Sequence, residues 1–308
     1  MVSKQMSDAF SNLHPVLNFI FFLAVISVTV LTLHPLVPGL SLLCAFFYAV
    51  ILYGFGAAIK RLFFFAFPIM LITALVNPLF NHYGVTTYFY LPNGNPVTAE
   101  SMVYGLMSGL MISAVIMWFF CLSKVMTSDK YICILGAFAP KGALVLSMAL
   151  KFIPDFELRR TMIRDAGRCV GRHRGNGIRD LSVLTTWALE NSIDISDSME
   201  ARGYGSTKRT SYSPYRLKKR DVSAIIYMLA FGVVTAYSTF NGAFYASYNP
   251  VIKIAFNPPV WRQVLGFCAF AAFCLLPVLS YTGECVALKR VSAEGVDGKE
   301  YLRLWEIS

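Results

Sequence analysis

Apolar positions in this chain run on for long stretches instead of alternating with polar ones. Uncharged apolar runs occupy roughly residues 16–33, 40–59, 62–80, 102–123, 222–247 and 263–282. Each is long enough to cross about 30 Å of hydrocarbon as a helix. Hydrocarbon offers no water to backbone groups, so a lone run of this length must satisfy its own hydrogen bonds and read as helix. The pattern predicts an all-α, polytopic integral membrane protein of about six transmembrane helices. Pro68 lies inside the third run and predicts a kink that neighbouring helices absorb.

A further run, residues 131–153, is interrupted by Pro140-Lys141-Gly142. A lysine at the bilayer centre costs about 2.5–3.5 kcal/mol, and each half is too short to span. This run reads as helices lying at or under the cytoplasmic interface.

Charge then sets the orientation. Lys60 and Arg61 mark a short loop after the second run, and residues 151–220 hold 15 Lys or Arg against 8 Asp or Glu. The positive-inside rule puts both on the cytoplasmic side. Residues 81–99 contain no Lys or Arg, as an outer loop should. Both termini then lie in the cytoplasm, with Lys289 and Arg290 following the last span. Four regions result: residues 1–130 with the first four spans, a cytoplasmic helical region at 131–220, the last two spans at 221–283, and a charged cytoplasmic tail at 284–308. The first run has no small-residue cleavage site after it, so it is expected to stay as a span and not to be removed as a signal.

In the outer loop a β-rich run followed by Asn93-Gly94 predicts a hairpin turn. Thr98 is placed to cap the fourth span, with Glu100 in its first turn. Gly105, Gly109 and Ser113 recur every four residues in that span. They form one small face where a helix can approach closely, from this chain or from a separate membrane subunit.

Composition narrows the function classes. Of 308 residues, 56% are hydrophobic and 14% charged, about half the charge of an ordinary soluble domain. The net charge of +10 does not read as nucleic-acid binding, because the basic block lacks interleaved aromatics and Trp187 stands alone there. Seven cysteines without a C-x-x-C pair and four scattered histidines support neither a metal site nor a disulfide framework. No Gly-rich phosphate cradle with Lys-Ser or Lys-Thr is present, so ATP chemistry would belong to a partner. The spans are nearly free of ionisable residues, which does not suit a membrane enzyme. A self-contained permease would show polar groups or broken helices at mid-membrane, and only Pro68 and Asn77-Pro78 hint at that.

In the basic block, Pro154 predicts the start of a helix over about 155–170. One stripe, Leu158, Met162, Ala166 and Cys169, is apolar, and another carries Arg159, Arg160, Arg164 and Arg168. A Gly-rich break at 171–177 precedes a second helix to about residue 202. There Leu181, Leu184, Ala188, Ile195 and Met199 lie near one face, and Glu190, Asp194, Asp197 and Glu200 make the second half acidic. Such a pair can lie on anionic lipid, though the acidic half fits that poorly, or dock a protein partner. It ends in "SMEARGYG". Arg202 suits a helix end, as a cation on the dipole before a glycine cap. Between Ala201 and Gly203 its planar fork is also free to enter an acidic groove.

Three stretches, "LVNPLF" at 75–80, "TSDKYICILGAFAPKGALVLSMALKFIP" at 127–154 and "SMEARGYG" at 198–205, resemble the transmembrane T component of energy-coupling factor transporters. The resemblance extends over roughly residues 12–280. It implies a non-catalytic subunit in a prokaryotic cell membrane. Its partners would be two ABC-type ATPases, which bind the ATP and Mg, and a substrate-capturing S component. The cargo would be a vitamin, a precursor, or a cobalt or nickel ion. In that family two cytoplasmic helices each end in Ala-Arg-Gly, whose arginines dock into the ATPases. Carried over, Ala201, Arg202 and Gly203, preceded by Glu200, are the second motif. The first is degenerate: Gly171 stands at its glycine, Val170 at the arginine place and Cys169 at the alanine place. Arg168 and Arg172 are the candidate replacements.

Overall fold

The computed structural model describes residues 10–32, 34–81, 84–90, 96–171, 177–206, 215, 218–248, 253–254 and 260–293. Helix α1 (Pro15–Leu31) and α2 (Leu36–Tyr53) are followed by α3 (Phe55–Arg61), which continues through a π turn at Leu62–Ala66 into α4 (Phe67–Phe80). Strands β1 (Thr87–Tyr90) and β2 (Pro96–Thr98) pair antiparallel, with an irregularity between Thr87 and Phe89. Then come α5 (Ala99–Val125), α6 (Ser128–Phe138), α7 (Pro140–Cys169), α8 (Gly177–Ala201) and α9 (Lys219–Phe240). A second short antiparallel pair, β3 (Ala246–Ser247) with β4 (Lys253–Ile254), precedes α10 (Val260–Ala293). The chain divides into two compact units, Met1–Thr127 with Tyr215–Ser308, and Ser128–Pro214.

Among the described residues the first unit holds five helices long and apolar enough to cross a membrane: Leu36–Tyr53, Phe55–Phe80, Ala99–Val125, Arg220–Phe240 and Val260–Val286. The sixth expected span, α1, has 17 residues, about 25 Å at 1.5 Å per residue and at the lower limit for spanning. Within this unit α5 packs on α1, α2 and α4, while α10 packs on α2 and α9. Phe10, Phe21, Phe22 and Trp118 meet edge to face at the centre, with ring centroids 5.1–6.0 Å apart. Three buried polar side chains there, Trp118, Ser41 and Thr29, are linked in a chain. Trp118 Nε1 donates to Ser41 Oγ at 2.9 Å, and Ser41 and Thr29 share a hydrogen bond at 2.9 Å. The outward faces stay apolar, with Leu23, Phe47, Phe63, Phe64 and Leu75 all more than half exposed. Lipid, not water, is the solvent for such a surface.

Several boundaries differ from the sequence expectation for local reasons. Lys60 and Arg61 end helix α3 and form no loop. The break falls earlier, at Gly54, whose φ of +83° is open to glycine and strained for other residues. Ahead of Pro68 the helix widens into the π turn, where the Phe67 N–H donates to Leu62 O. Pro68 has no N–H for the carbonyl four residues back, and a π turn absorbs that deficit within the helix. The fifth span ends at Phe240, not near 247, because Gly242 at φ +70° closes a turn in which its N–H donates to Thr239 O. Helix α10 runs on to Ala293, past the expected end of the membrane region at 283.

The second unit is built from α6, α7 and α8, with α7 packing on both others. Pro140, not Pro154, occupies the first helical turn, and Pro154 lies inside the 30-residue α7. At the first turn a missing N–H costs nothing, since that group has no intrahelical partner. At position 154 it removes one bond, and packing of α7 on its two neighbours supports the remainder.

Candidate functional site

α8 carries the amphipathic pattern of a helix packed along one side. Leu184, Trp187, Ala188, Asn191, Ile195 and Met199 are half-buried at three- and four-residue steps. Leu181, expected on the same face, is exposed. Trp187 is not isolated: the Phe156 ring meets it edge-on at 5.8 Å, and the Arg159 guanidinium lies 5.2 Å over it. Phe152 stacks on Phe156 at 6.0 Å. The contact face of α7 is therefore Phe152, Phe156, Ile163 and Gly167, which are half-buried. The expected stripe of Leu158, Met162, Ala166 and Cys169 is exposed instead. Helical spacing offered both stripes, and the bulkier aromatic one became the contact because it buries more area.

The end of α8 is a complete glycine cap. Gly203 has φ +78°. The Tyr204 N–H donates to Met199 O at 3.1 Å, and the Gly203 N–H donates to Glu200 O at 2.9 Å. These are the two bonds of a Schellman motif, which satisfy carbonyls the helix leaves open. The cap holds Glu200, Ala201, Arg202 and Gly203 in a defined turn, and all four are exposed. Arg202 is thus presented at the tip with no hydrogen bond or ion pair to its side chain among the described residues.

α7 also ends on a left-handed glycine. Gly171 has φ +74° and donates to Arg168 O at 3.0 Å, the counterpart of the Gly203 bond. Val170, 76% exposed, stands where Arg202 stands on α8. Arg168 lies two residues further back and is paired with Asp165 at 3.1 Å, both side chains about two-thirds exposed; such a pair contributes little and is readily exchanged. Arg172 lies outside the described residues, as does the expected Asn93-Gly94 turn.

The small face of α5 is filled from within the chain. A Cβ at Gly109 would come 2.8 Å from Met70 O, and one at Gly105 would come 2.9 Å from Asn77 Cβ, both on α4. Ser113 Oγ donates to Ala66 O at 2.7 Å, at the end of the π turn. At the top of α5, Thr98 accepts from the Ser101 N–H at 3.4 Å, and Glu100 accepts from the Thr86 N–H at 3.3 Å, joining the hairpin to the helix. No group of three or more His, Cys, Asp or Glu able to hold a metal ion occurs among the described residues.

Architecture and surface together define an all-α polytopic membrane protein with a separate helical unit that ends in an exposed Arg-Gly tip. No family model matches the chain. It is similar to an uncharacterised protein, MG181, of Mycoplasma genitalium, 32% identical over 111 residues, covering 33% of this chain and 26% of that protein. The MG181 homologue of Mycoplasma pneumoniae matches to the same extent. It is also similar to the energy-coupling factor transporter transmembrane protein EcfT of Lactobacillus helveticus, 35% identical over 97 residues, covering 28% of this chain and 35% of that one. The chain spans only about a quarter to a third of the length of these curated relatives.

Proposed function

We propose that this chain is the membrane coupling subunit of an energy-coupling factor importer, a non-catalytic transport component. Two ABC-type ATPases engage the helix tips of the second unit, and ATP and Mg belong to them. A small membrane S component captures the cargo, a vitamin, a precursor, or a cobalt or nickel ion. Rotation or tilting of α7 and α8 under ATP-driven movement passes the motion to that component. In this reading the chain sits in a prokaryotic cell membrane with both termini in the cytoplasm.

The observation that carries the reading is Arg202: exposed, unpaired among the described residues, and held by a two-bond glycine cap. A guanidinium on a stiff helix end can enter an acidic groove with little loss of conformational freedom, and a bidentate pair with carboxylate adds direction to attraction. The partial similarity to EcfT of Lactobacillus helveticus supports it. The α7 tip presents Val170 in the equivalent place, so the two ATPase contacts are chemically unlike, with Arg168 or Arg172 supplying charge to the first.

Co-purification tests this directly. The full chain, co-expressed with candidate ATPases and an S component, should capture both. Arg202→Glu should lose most ATPase capture and abolish uptake while still inserting in the membrane. Normal capture and uptake by that variant would remove the coupling role. Arg168→Ala and Arg172→Ala, tested separately, decide which cation serves the first tip.

A further inference from the structure

One end of the first unit gathers three cations on aromatic rings. Lys60 and Arg61 close α3, and Lys124 stands in the last turn of α5. The Arg61 guanidinium carbon lies 3.3 Å from the Tyr53 ring centroid and 5.7 Å from that of Phe120. Lys124 Nζ lies 6.0 Å from the same Tyr53 ring, and Lys60 Nζ lies 6.0 Å from the Phe64 ring. At 3.3 and 6.0 Å from one centroid, the Arg61 and Lys124 charges are within about 9 Å of each other, about a Debye length at physiological salt. Tyr53 is itself fixed, because its hydroxyl donates to Phe120 O at 2.9 Å.

Stacking orients the guanidinium but uses none of its N–H donors. Arg61 makes no hydrogen bond or ion pair among the described residues, and its Nη1 is buried without a partner there. Neither Lys60 nor Lys124 pairs with a carboxylate among them. Positive charges kept this close, within two turns of the ends of helices that cross hydrocarbon, are stabilised by an anion that lies between them.

The surroundings indicate which anion. Phe55, Phe63, Phe64, Phe65 and Phe67 are 46–65% exposed on the same helix as Lys60 and Arg61. These rings face the acyl chains of the bilayer, so the anion that reaches the cations beside them is the headgroup of a lipid whose tails lie on the rings. We infer that Arg61 and Lys124, assisted by Lys60, bind the phosphate of an anionic phospholipid, with Tyr53 as the platform that holds the guanidinium. The site lies within the first unit, and it stands whether or not the chain couples to ATPases.

The full chain is reconstituted in phosphatidylcholine nanodiscs containing a minor fraction of phosphatidylglycerol, and retained lipid is read by native mass spectrometry. Wild type should keep phosphatidylglycerol in preference to phosphatidylcholine. Lys124→Gln, at an exposed position that folding does not depend on, should cut that preference about fivefold, the worth of one cation near an anionic surface. Arg61→Gln should remove it, and Arg61→Lys should restore only part, since a point charge replaces the fork. Exposed Lys151→Gln, in the second unit, should leave it unchanged. Equal preference in wild type, Lys124→Gln and Arg61→Gln would overturn the assignment. So would inorganic phosphate that raises the thermal midpoint as much as phosphatidylglycerol does, and only when Lys124 is present, since the ligand would then be a soluble anion.

Discussion

Asp221 holds two parts of the chain with one buried carboxylate. It accepts from the His14 N–H at 3.0 Å and from the Lys218 N–H at 2.8 Å, joining the segment before α1 to the start of α9. Replacement by Ala leaves both donors unmet, at about 1–3 kcal/mol each where water cannot reach. Asp221→Ala should therefore lower the thermal midpoint in detergent by several degrees, and Asp221→Asn, with one acceptor oxygen, should fall between. An unchanged midpoint in the Ala variant would show that water replaces the carboxylate. His34 makes a second prediction at this scale. It is buried between α1 and α2 with the Phe267 ring 5.0 Å away, and burial lowers its pKa below the ordinary 6.5. The unfolded chain then takes up the proton before the folded one does, so the stability due to neutral His34 is present above about pH 6.5 and declines as pH falls below it. His34→Gln should flatten the acid side of a midpoint-against-pH curve, a comparison made on the full chain.

Helices meet closely here where glycine allows it. Gly109 sits against the backbone of Met70, which cannot move aside as a flexible side chain would. Gly109→Val should separate α4 from α5 and lower the midpoint, with a cost of about 1–3 kcal/mol for overpacking. Gly203 serves a different purpose, since a left-handed residue must end α8. Gly203→Val should fray the tip while leaving the spans intact and, on the proposed coupling role, should weaken ATPase capture, read by capture per folded molecule. The Gly203 cap, the Thr98 cap and the repeat of small residues on α5 were all legible in the sequence, because they depend on neighbours within one turn. The contact face of α7 was not. Leu158, Met162, Ala166 and Cys169 have as good a period as Phe152, Phe156, Ile163 and Gly167, and only the partner helix distinguishes them. Pro154 misled for a related reason: proline marks a helix start only when nothing supports the turns before it.

Across the whole molecule, stability and the proposed coupling are expected to separate. The membrane helices lie in one unit and the exposed Arg202 tip in the other, so Arg202→Glu should leave the midpoint unchanged while Gly109→Val lowers it. Sites in separate units without shared partners are expected to add, and a double variant should show both losses without excess. The sequence by itself determined the class of protein and the approximate number of spans. Hydrocarbon forces each crossing to be a long uncharged helix, and that demand is written locally in apolar runs. It also marked Arg202 and the glycine that caps it. Tertiary structure alone decided that Gly105, Gly109 and Ser113 face α4 and the π turn of the same chain, that Trp187 meets Phe156 and Arg159, and that Arg61 and Lys124 share the Tyr53 ring. Those choices pair residues from separate helices, and a helical period states which positions share a face without stating what that face meets.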